Sequence, residues 1–393
     1  MSKEMIKKLL QLLLFFLLSF NLEGASPPAS FTFMIADLKH NDEEGIKICE
    51  LQAGSLSAFR GYDWLTNEPR VVSKKVMKIL NQFGHSLWVF SGSIADPSIQ
   101  KEMAEQKVNI VKNLSKLCQN KTFIQQANLP VEDPYDLSSY PVLLIGSPKR
   151  FHNNLESFQE QFPNVLILDL PSYPYWKNKH EMSLLLREPP ELEQIKPHWE
   201  LFSRAMTSEE IQSSHTHFSS EYVVIKPLNA FTGSGVILLE RTKLPEILQL
   251  IWKSPKKLPD SSDKGYSYWR KAKDKHLIVE EFHFSDPVAV SHLEGREYDP
   301  TLRAIFMLWH EHGEIQMDFV GLYWKLPEKS LSEEGSFNEK HKSCGKIPYF
   351  ALVEPEKEEA IKHQLKETMP LLYAKMLGWE KYEPIRIKNL ELH

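Results

Sequence analysis

Two apolar runs of strand length, YPVLLIG (140–146) and NVLILDL (164–170), flank a polar stretch of helical length (153–161). Strand, helix and strand in that order predict a βαβ unit and hence a parallel sheet. The alternation begins at Phe31: GIKICEL (45–51) and SLWVF (86–90) are rich in β-branched and aromatic residues and predict strands. Residues 98–118 place Ile99, Met103, Val108, Ile110, Val111, Leu114 and Leu117 at a mostly helical spacing. The loop PSYPYW (171–176) is broken by prolines, and a domain boundary is expected near residues 171–190.

The second half reads differently. EYVVIKP (221–227), GVILLE (235–240), HLIVEEF (276–282), LRAIFMLW (302–309) and EIQMDFVGLYW (314–324) all predict strands, with helices at 243–252 and 356–377. Pro370 is expected to kink or restart the second helix. Residues 253–275 form a polar, basic loop or insertion. The fold class is therefore α/β, turning to α+β in the C-terminal half.

With 42% hydrophobic and 25% charged residues, the composition excludes a disordered or collagen-like chain. A net charge of −5 gives no global pull toward nucleic acid, and none is expected as a partner. Cys49, Cys118 and Cys344 lie far apart, without metal-ligand spacing, and are expected to be reduced and structural. At the N-terminus a basic segment (3–8), an apolar run (Leu9–Phe20) and small residues (Gly24, Ala25, Ser26) make the three-part pattern of a secretory signal peptide. Its apolar run covers about 18 Å as a helix, short of the ~30 Å hydrocarbon core, so no spanning helix is expected in the mature chain. Export is one reading; a true start near Met34 and a cytoplasmic location is the other.

Chemistry concentrates in EYVVIKPLNAFTGSGVILLE (221–240). Lys226 ends a strand, and the loop Thr232, Gly233, Ser234, Gly235 follows. Glycines let backbone N–H groups approach a polyphosphate, and a strand-held lysine supplies a point charge to it. The plain alternative is a hairpin with a glycine turn. In LIVEEF (277–282), Glu280, Glu281 and Phe282 combine apolar wall and acid as an adenosine hinge would; solvated acids at a strand end are the alternative. Arg303 and Lys325 lie on strands of one sheet and suit charge neutralisation in phosphoryl transfer, whereas Arg303 has a competing surface pairing with Asp299 or Glu297. Asp299 and Asp318 are carboxylates able to hold magnesium. Asn338, Lys340, His341 and Lys342 cluster in a polar loop that could grip phosphate. His310-Glu311-His312 reads as part of a turn rather than a metal site.

In this order, Lys226-Pro227, Gly233 and Gly235, Glu280-Glu281-Phe282, Arg303 and Lys325 resemble the ATP-grasp superfamily, mostly ATP-dependent carboxylate–amine ligases. The stretch Tyr175–Lys179 resembles the family's lysine-containing entry to its helical linker. After the signal-like segment (1–26), the resemblance implies a Rossmann-like preceding domain (27–180) and an ATP-grasp domain of two α+β subdomains (181–393) with a hinge near 277–285. It implies ATP and Mg2+ as cofactors, with a carboxylate and an amine as substrates. Lys179, Lys226, Thr232, Gly233, Ser234, Gly235, Glu280, Glu281, Phe282 and Asn338 would bind nucleotide, Arg303 and Lys325 would act in catalysis, and Asp318 would hold the metal. Two departures stand out. Lys226 and Glu280 are 54 residues apart, and the family's C-terminal Glu-x-Asn is missing after residue 377. The implied function is an ADP-forming C–N ligase acting through an acyl phosphate. A nucleotide-binding protein of the same fold without turnover is the alternative, and an unrelated secreted hydrolase or sugar-binding protein lacks its usual motifs here.

Overall fold

The computed structural model describes residues 30–379 except 57–58, 83–86, 91–96, 112–116, 118, 128–131, 134–135, 137, 139, 145–157, 159, 177, 231–232 and 260–263, and except the side chains of 90, 98, 102, 143, 144 and 264. The signal-like segment 1–26, most of the expected helix 153–161, Cys118 and Thr232 lie outside the described residues.

Strands β1 (Ser30–Asn41) and β2 (Gly45–Ala53) come first, then helices α1 (Arg60–Thr66) and α2 (Val71–Asn81). Next come β3 (Leu87–Phe90), α3 (Pro97–Glu105), β4 (Asn109–Val111), α4 (Lys121–Ala127), β5 (Val142–Leu144) and β6 (Leu166–Ile167). Three short helices, α5 (Tyr173–Trp176), α6 (Lys179–Leu185) and α7 (Pro190–Gln194), lead to β7 (Trp199–Ser203), α8 (Ser208–Ser213), β8 (Tyr222–Pro227) and β9 (Ile237–Glu240). Helices α9 (Leu244–Lys253) and α10 (Lys264–Trp269) precede β10 (His276–Glu281). The hairpin β11 (Val288–Val290) and β12 (Arg296–Tyr298) passes the chain to β13 (Thr301–Glu311), β14 (Glu314–Lys325), α11 (Phe337–His341), β15 (Phe350–Leu352) and α12 (Pro355–Met376).

Three larger sheets result. The main antiparallel sheet has the order β15-β14-β13-β1-β2, the second β7-β10-β8-β9, and the third, parallel one β4-β3-β5-β6. In β1 every residue between the two ends is buried, as expected of a central strand covered on both faces. One face carries Met34, Ala36 and Leu38 into a core shared with Ile361, Leu365 and Tyr373 of α12. The other carries Phe31, Phe33 and Ile35 against α2 and the parallel sheet. The second sheet packs Val223, Ile225, Leu277 and Val279 on Leu248 and Trp252 of α9.

Several expectations are corrected. The helix expected over 98–118 stops at Glu105, and Asn109–Val111 pairs with β3 instead. The β-branched pair Ile110-Val111 suits a strand, and helical spacing cannot distinguish so short a segment. The division at residue 180 does not follow the sheets: β1 and β2 belong to the sheet of β13–β15. Helix α12 spans Pro370 without a break, anchored by the fully buried Met369, Leu372 and Tyr373 around it. The basic stretch 253–275 carries α10, whose Trp269 is 1% exposed in the core of the second sheet. His312 and Gly313 form the tight turn between β13 and β14, both with positive φ. No helix of the described residues is long and apolar enough to cross a membrane.

Candidate functional site

The face of β1 that is apolar at Phe31, Phe33 and Ile35 becomes charged two residues later, at Asp37 and Lys39. Register puts Arg303 of β13 directly opposite Asp37 and Tyr323 of β14 opposite Arg303. Arg303 Nε and Nη2 donate to the two Asp37 oxygens at 2.8 Å each, a bidentate fork, and Lys325 Nζ adds a third bond at 3.1 Å. Burial alone would raise the Asp37 carboxyl, but Arg303 and Lys325 outweigh it and hold the group well below the usual carboxylate range. Burial pushes the Lys325 ammonium down and the Tyr323 hydroxyl up to about 12. Two cations therefore share one buried carboxylate.

A second triad, again two cations on one carboxylate, is built on the second sheet and the segment before it. Lys226 of β8 and Lys196, just after α7, each bond a different oxygen of Glu280 on β10, Lys196 at 2.6 Å. Lys226 also donates to the Cys49 carbonyl of β2 at 2.8 Å, which ties the two sheets together. All three side chains are at most 8% exposed. Burial would raise Glu280, but Lys196 and Lys226 outweigh it and lower it. Burial lowers Lys196, whereas Glu280 and the surroundings of Cys49 more than offset burial at Lys226 and raise it. At Lys196 burial leads and the neighbouring Lys226 charge adds to it, whereas Lys226 has Glu50 beside it as well as Glu280.

Beside the second triad runs a narrow cavity lined by Cys49, Glu50, Tyr175, Trp176, Lys179, Lys196 and Glu280. Lys179 Nζ bridges Glu50 at 3.2 Å and the Ala230 carbonyl at 2.5 Å, linking β2 to the start of the glycine loop. That loop joins β8 to β9 as an antiparallel hairpin, so the plain hairpin reading and the glycine loop coincide. Gly233 and Gly235 both have positive φ. A Cβ on Gly235 would meet Pro227 and Tyr268 at 2.7 Å, so its packing alone requires glycine. Around Gly233, among the described residues, the Lys342 stem alone approaches, at 3.9 Å from such a Cβ, and Lys342 Nζ reaches the Val236 carbonyl at 3.3 Å.

An aromatic patch adjoins the second triad. Phe282 packs with Val224 and Leu238 on the face of the second sheet that also carries Lys226. Helix α11 lies across it: Phe337 stacks on Tyr222 at 4.2 Å between centroids and meets Phe282 edge-on at 5.4 Å. His341 of the same helix bonds Asp299 at 2.7 Å, and Asp299 also takes Lys39 Nζ at 2.9 Å and the Ser285 N–H at 2.8 Å. Lys39 stands 5.3 Å from the Phe282 ring centroid.

Glu50 links the two triads: it pairs with Lys179, lies opposite Asp37 in the β1–β2 register and acts through its charge on both Lys226 and Lys325, while Phe282 packs on the face that carries Lys226 and Asn338 lies on α11 beside Phe337. Two expected residues are elsewhere. Asp318 is exposed on β14 opposite Met307, seven residues from Lys325, or about 23 Å along a strand. Glu281 accepts from the Ser219 N–H and hydroxyl and the Ser220 N–H, so it fastens a turn. Asp37, Lys39, Lys196 and Phe337 were not singled out from the sequence. The signal for Asp37 and Lys39 was present, as charges inside the run FTFMIADLKH; Lys196 in a polar stretch left none.

Magnesium needs open carboxylate oxygens. Here Asp37, Glu280 and Asp299 are each already held by cations, and Glu50 is paired with Lys179. The described acids, as arranged, do not fit an open magnesium site.

No protein family's sequence profile matches the chain, and no curated protein matches it. Among solved structures, it is similar to a candidate gamma-glutamylcysteine synthetase from Methylobacillus flagellatus KT, at TM-score 0.44 and 10% identity over 90% of each chain. It is also similar to the D-cycloserine synthetase DcsG, at TM-score 0.35 and 10% identity over 75% of this chain and 82% of that one. A glutathione synthetase-like effector (GSS30) from Globodera pallida aligns at TM-score 0.39 and 11% identity, over 76% and 73%.

Proposed function

We propose that a cleft between the two triads binds the polyphosphate of ATP and that the protein is an ATP-dependent carboxylate–amine ligase. The observation that carries this reading is the pair of triads, Lys196–Glu280–Lys226, which is buried, and Arg303–Asp37–Lys325, which is largely buried. Each sets two cations on one carboxylate and so keeps a net positive charge away from water, which is costly until an anion compensates it. A triphosphate lying between the sheets supplies that charge. Phe282, Val224 and Leu238 then offer an apolar wall to the base once Phe337 moves aside.

In the reaction, a substrate carboxylate oxygen attacks the terminal phosphorus and ADP leaves, giving an acyl phosphate. The amine nitrogen attacks the acyl carbon, inorganic phosphate leaves and the amine gives a proton to solvent. Arg303 and Lys325 stabilise charge on the transferring phosphoryl group when Asp37 releases them. Lys226 and Lys179 hold the remaining phosphates beside the glycine loop. No step is routed through a metal. The closed set of carboxylates favours one second reading, nucleotide binding without turnover. Measuring ADP release with a panel of carboxylic acids and amines separates the two. Release that requires a particular acid and amine supports the ligase, whereas saturable binding without release under any pair supports the second reading.

A further inference from the structure

At the C-terminal end of β1, next to Lys39, three chain segments converge on a group of metal-ligating side chains. His40 is the penultimate residue of the strand, Asp42 lies in the turn to β2, and Asp286 lies in the segment linking β10 to β11. One ring nitrogen of His40 and one carboxylate oxygen from each aspartate all lie within 4.8 Å of one another. The backbone holds them in place. His40 N–H donates to Ser285 Oγ at 3.1 Å, Asp286 N–H to the His40 carbonyl at 3.0 Å, and Asp42 N–H to Asp286 Oδ2 at 3.0 Å.

Two observations point to a ligand. His40 is 4% exposed, and its Nδ1 is buried without a hydrogen-bond partner. Buried polar atoms are ordinarily matched, so an imidazole beside two carboxylates with a vacant nitrogen calls for an explanation. The carboxylates already attract a cation: Lys357, in the first turn of α12, stands 3.1 Å from Asp286 and 3.6 Å from Asp42. That ion pair satisfies the acids but leaves His40 Nδ1 unmatched. A divalent ion would engage both carboxylates together with a ring nitrogen of this buried imidazole.

We propose that His40, Asp42 and Asp286 form a site for a divalent transition-metal cation of the zinc type, with Lys357 as the ammonium that holds the carboxylates when the ion is absent. One imidazole and two carboxylates suit borderline ions such as Zn2+ and Co2+ better than Ca2+ or Mg2+, which take all-oxygen sets. Three protein ligands leave a position for water. Protonated lysine has no lone pair to give a metal, so Lys357 must swing into solvent, and its partial exposure and flexible stem allow this. Because Asp286 follows the end of the second sheet and His40 lies in the main sheet, the ion would pin the connection between them. The site adjoins the proposed nucleotide cleft through Ser285, which accepts from the His40 N–H and donates its own N–H to Asp299, but it shares no side chain with the cleft.

The test is a titration of Co2+ into the full chain, followed by its visible ligand-field absorption, with Zn2+ as competitor. The expected result is one saturable ion per chain, displaced by Zn2+, with binding at least tenfold weaker in His40→Ala and in Asp286→Asn. Lys357→Met, which removes the competing ammonium, tightens binding several-fold while leaving the ligands in place. Far-ultraviolet circular dichroism checks that each variant is folded, and the Lys357→Met result stands even if His40→Ala is not. Absence of saturable Co2+ binding in both the wild type and Lys357→Met overturns the proposal. So does equal affinity in wild type, folded His40→Ala and Asp286→Asn, which would place the ion elsewhere.

Discussion

Replacing either lysine of the Glu280 triad by methionine should change stability in opposite directions. Lys226 bonds Glu280 and the Cys49 carbonyl, and its charged form is favoured in the fold. Lys196 has only Glu280, and burial makes its charged form unfavourable there. A lowered amine pKa means that the ammonium costs folding free energy relative to the unfolded chain. Lys196→Met removes the uncompensated charge, leaves a neutral Lys226–Glu280 pair and keeps an unbranched side chain of similar length. Relief of a buried charge is worth about 1–2 kcal/mol, less the loss of one charged hydrogen bond, so the net expectation is about 1 kcal/mol of stabilisation. Lys226→Met removes the better-bonded cation and leaves the Cys49 carbonyl unmatched, a loss of about 3 kcal/mol. Urea unfolding at pH 7 and constant salt reads both as shifts in midpoint at unchanged slope. With saturating ATP the ranking reverses for Lys196→Met, because the variant forfeits part of the ligand's stabilisation. Equal destabilisation by the two variants would refute the reasoning, since it would mean that the triad carries no uncompensated charge.

Other predictions follow from particular residues. Asp169 is buried, accepts from Thr32 Oγ1 and the Phe33 N–H, and burial raises its carboxyl to about 7. The folded state therefore holds this proton more firmly than the unfolded chain, and stability is lost as pH rises from about 4 to about 7, by up to about 4 kcal/mol. Asp169→Asn tolerates the positive φ of 66° and should flatten that loss in thermal melts across this pH range. A chain begun at Met34 loses Phe31 and Phe33, both 1% exposed, and should be destabilised by about 5 kcal/mol or more in urea unfolding relative to the full chain. Gly235→Ala, facing contacts at 2.7 Å, should cost more stability than Gly233→Ala, whose cost is the left-handed backbone alone, about 1 kcal/mol; melting temperatures rank them. Phe337→Ala uncovers Phe282 and should tighten adenine-nucleotide binding severalfold by calorimetry, since the base no longer has to displace the ring.

Much of the strand content was legible because β-branched and aromatic runs such as EYVVIKP and LRAIFMLW permit little else. The parallel pairing of β5 with β6 likewise followed from two apolar runs joined by a polar stretch. The placement of β1 was not legible. Its partner β13 begins 260 residues after it ends (301 against 41), and no local pattern reports a pairing at that distance. The same separation hid Asp37, whose partner Arg303 is 266 residues away. Lys226, Glu280, Arg303 and Lys325 were legible as charges within or at the ends of strands. What the sequence did not show was that they arrive as two triads, each with one acid. Asp318 misled because strand parity gives a side chain's face but not its distance along the strand. Glu281 misled because two adjacent acids at a strand end point to opposite sides, and one of them was needed by the Ser219–Ser220 turn.

The most direct test of the account is a calorimetric titration of ATP, with and without magnesium, into the full chain and into Lys325→Met. The account predicts one saturable site in the wild type, weakened by salt because charge carries it, and at least tenfold weaker in the variant. Heat that stays at the dilution baseline up to about 1 mM ATP in a folded sample, corresponding to binding weaker than about −4 kcal/mol, would contradict the claim that the two triads form a polyphosphate site.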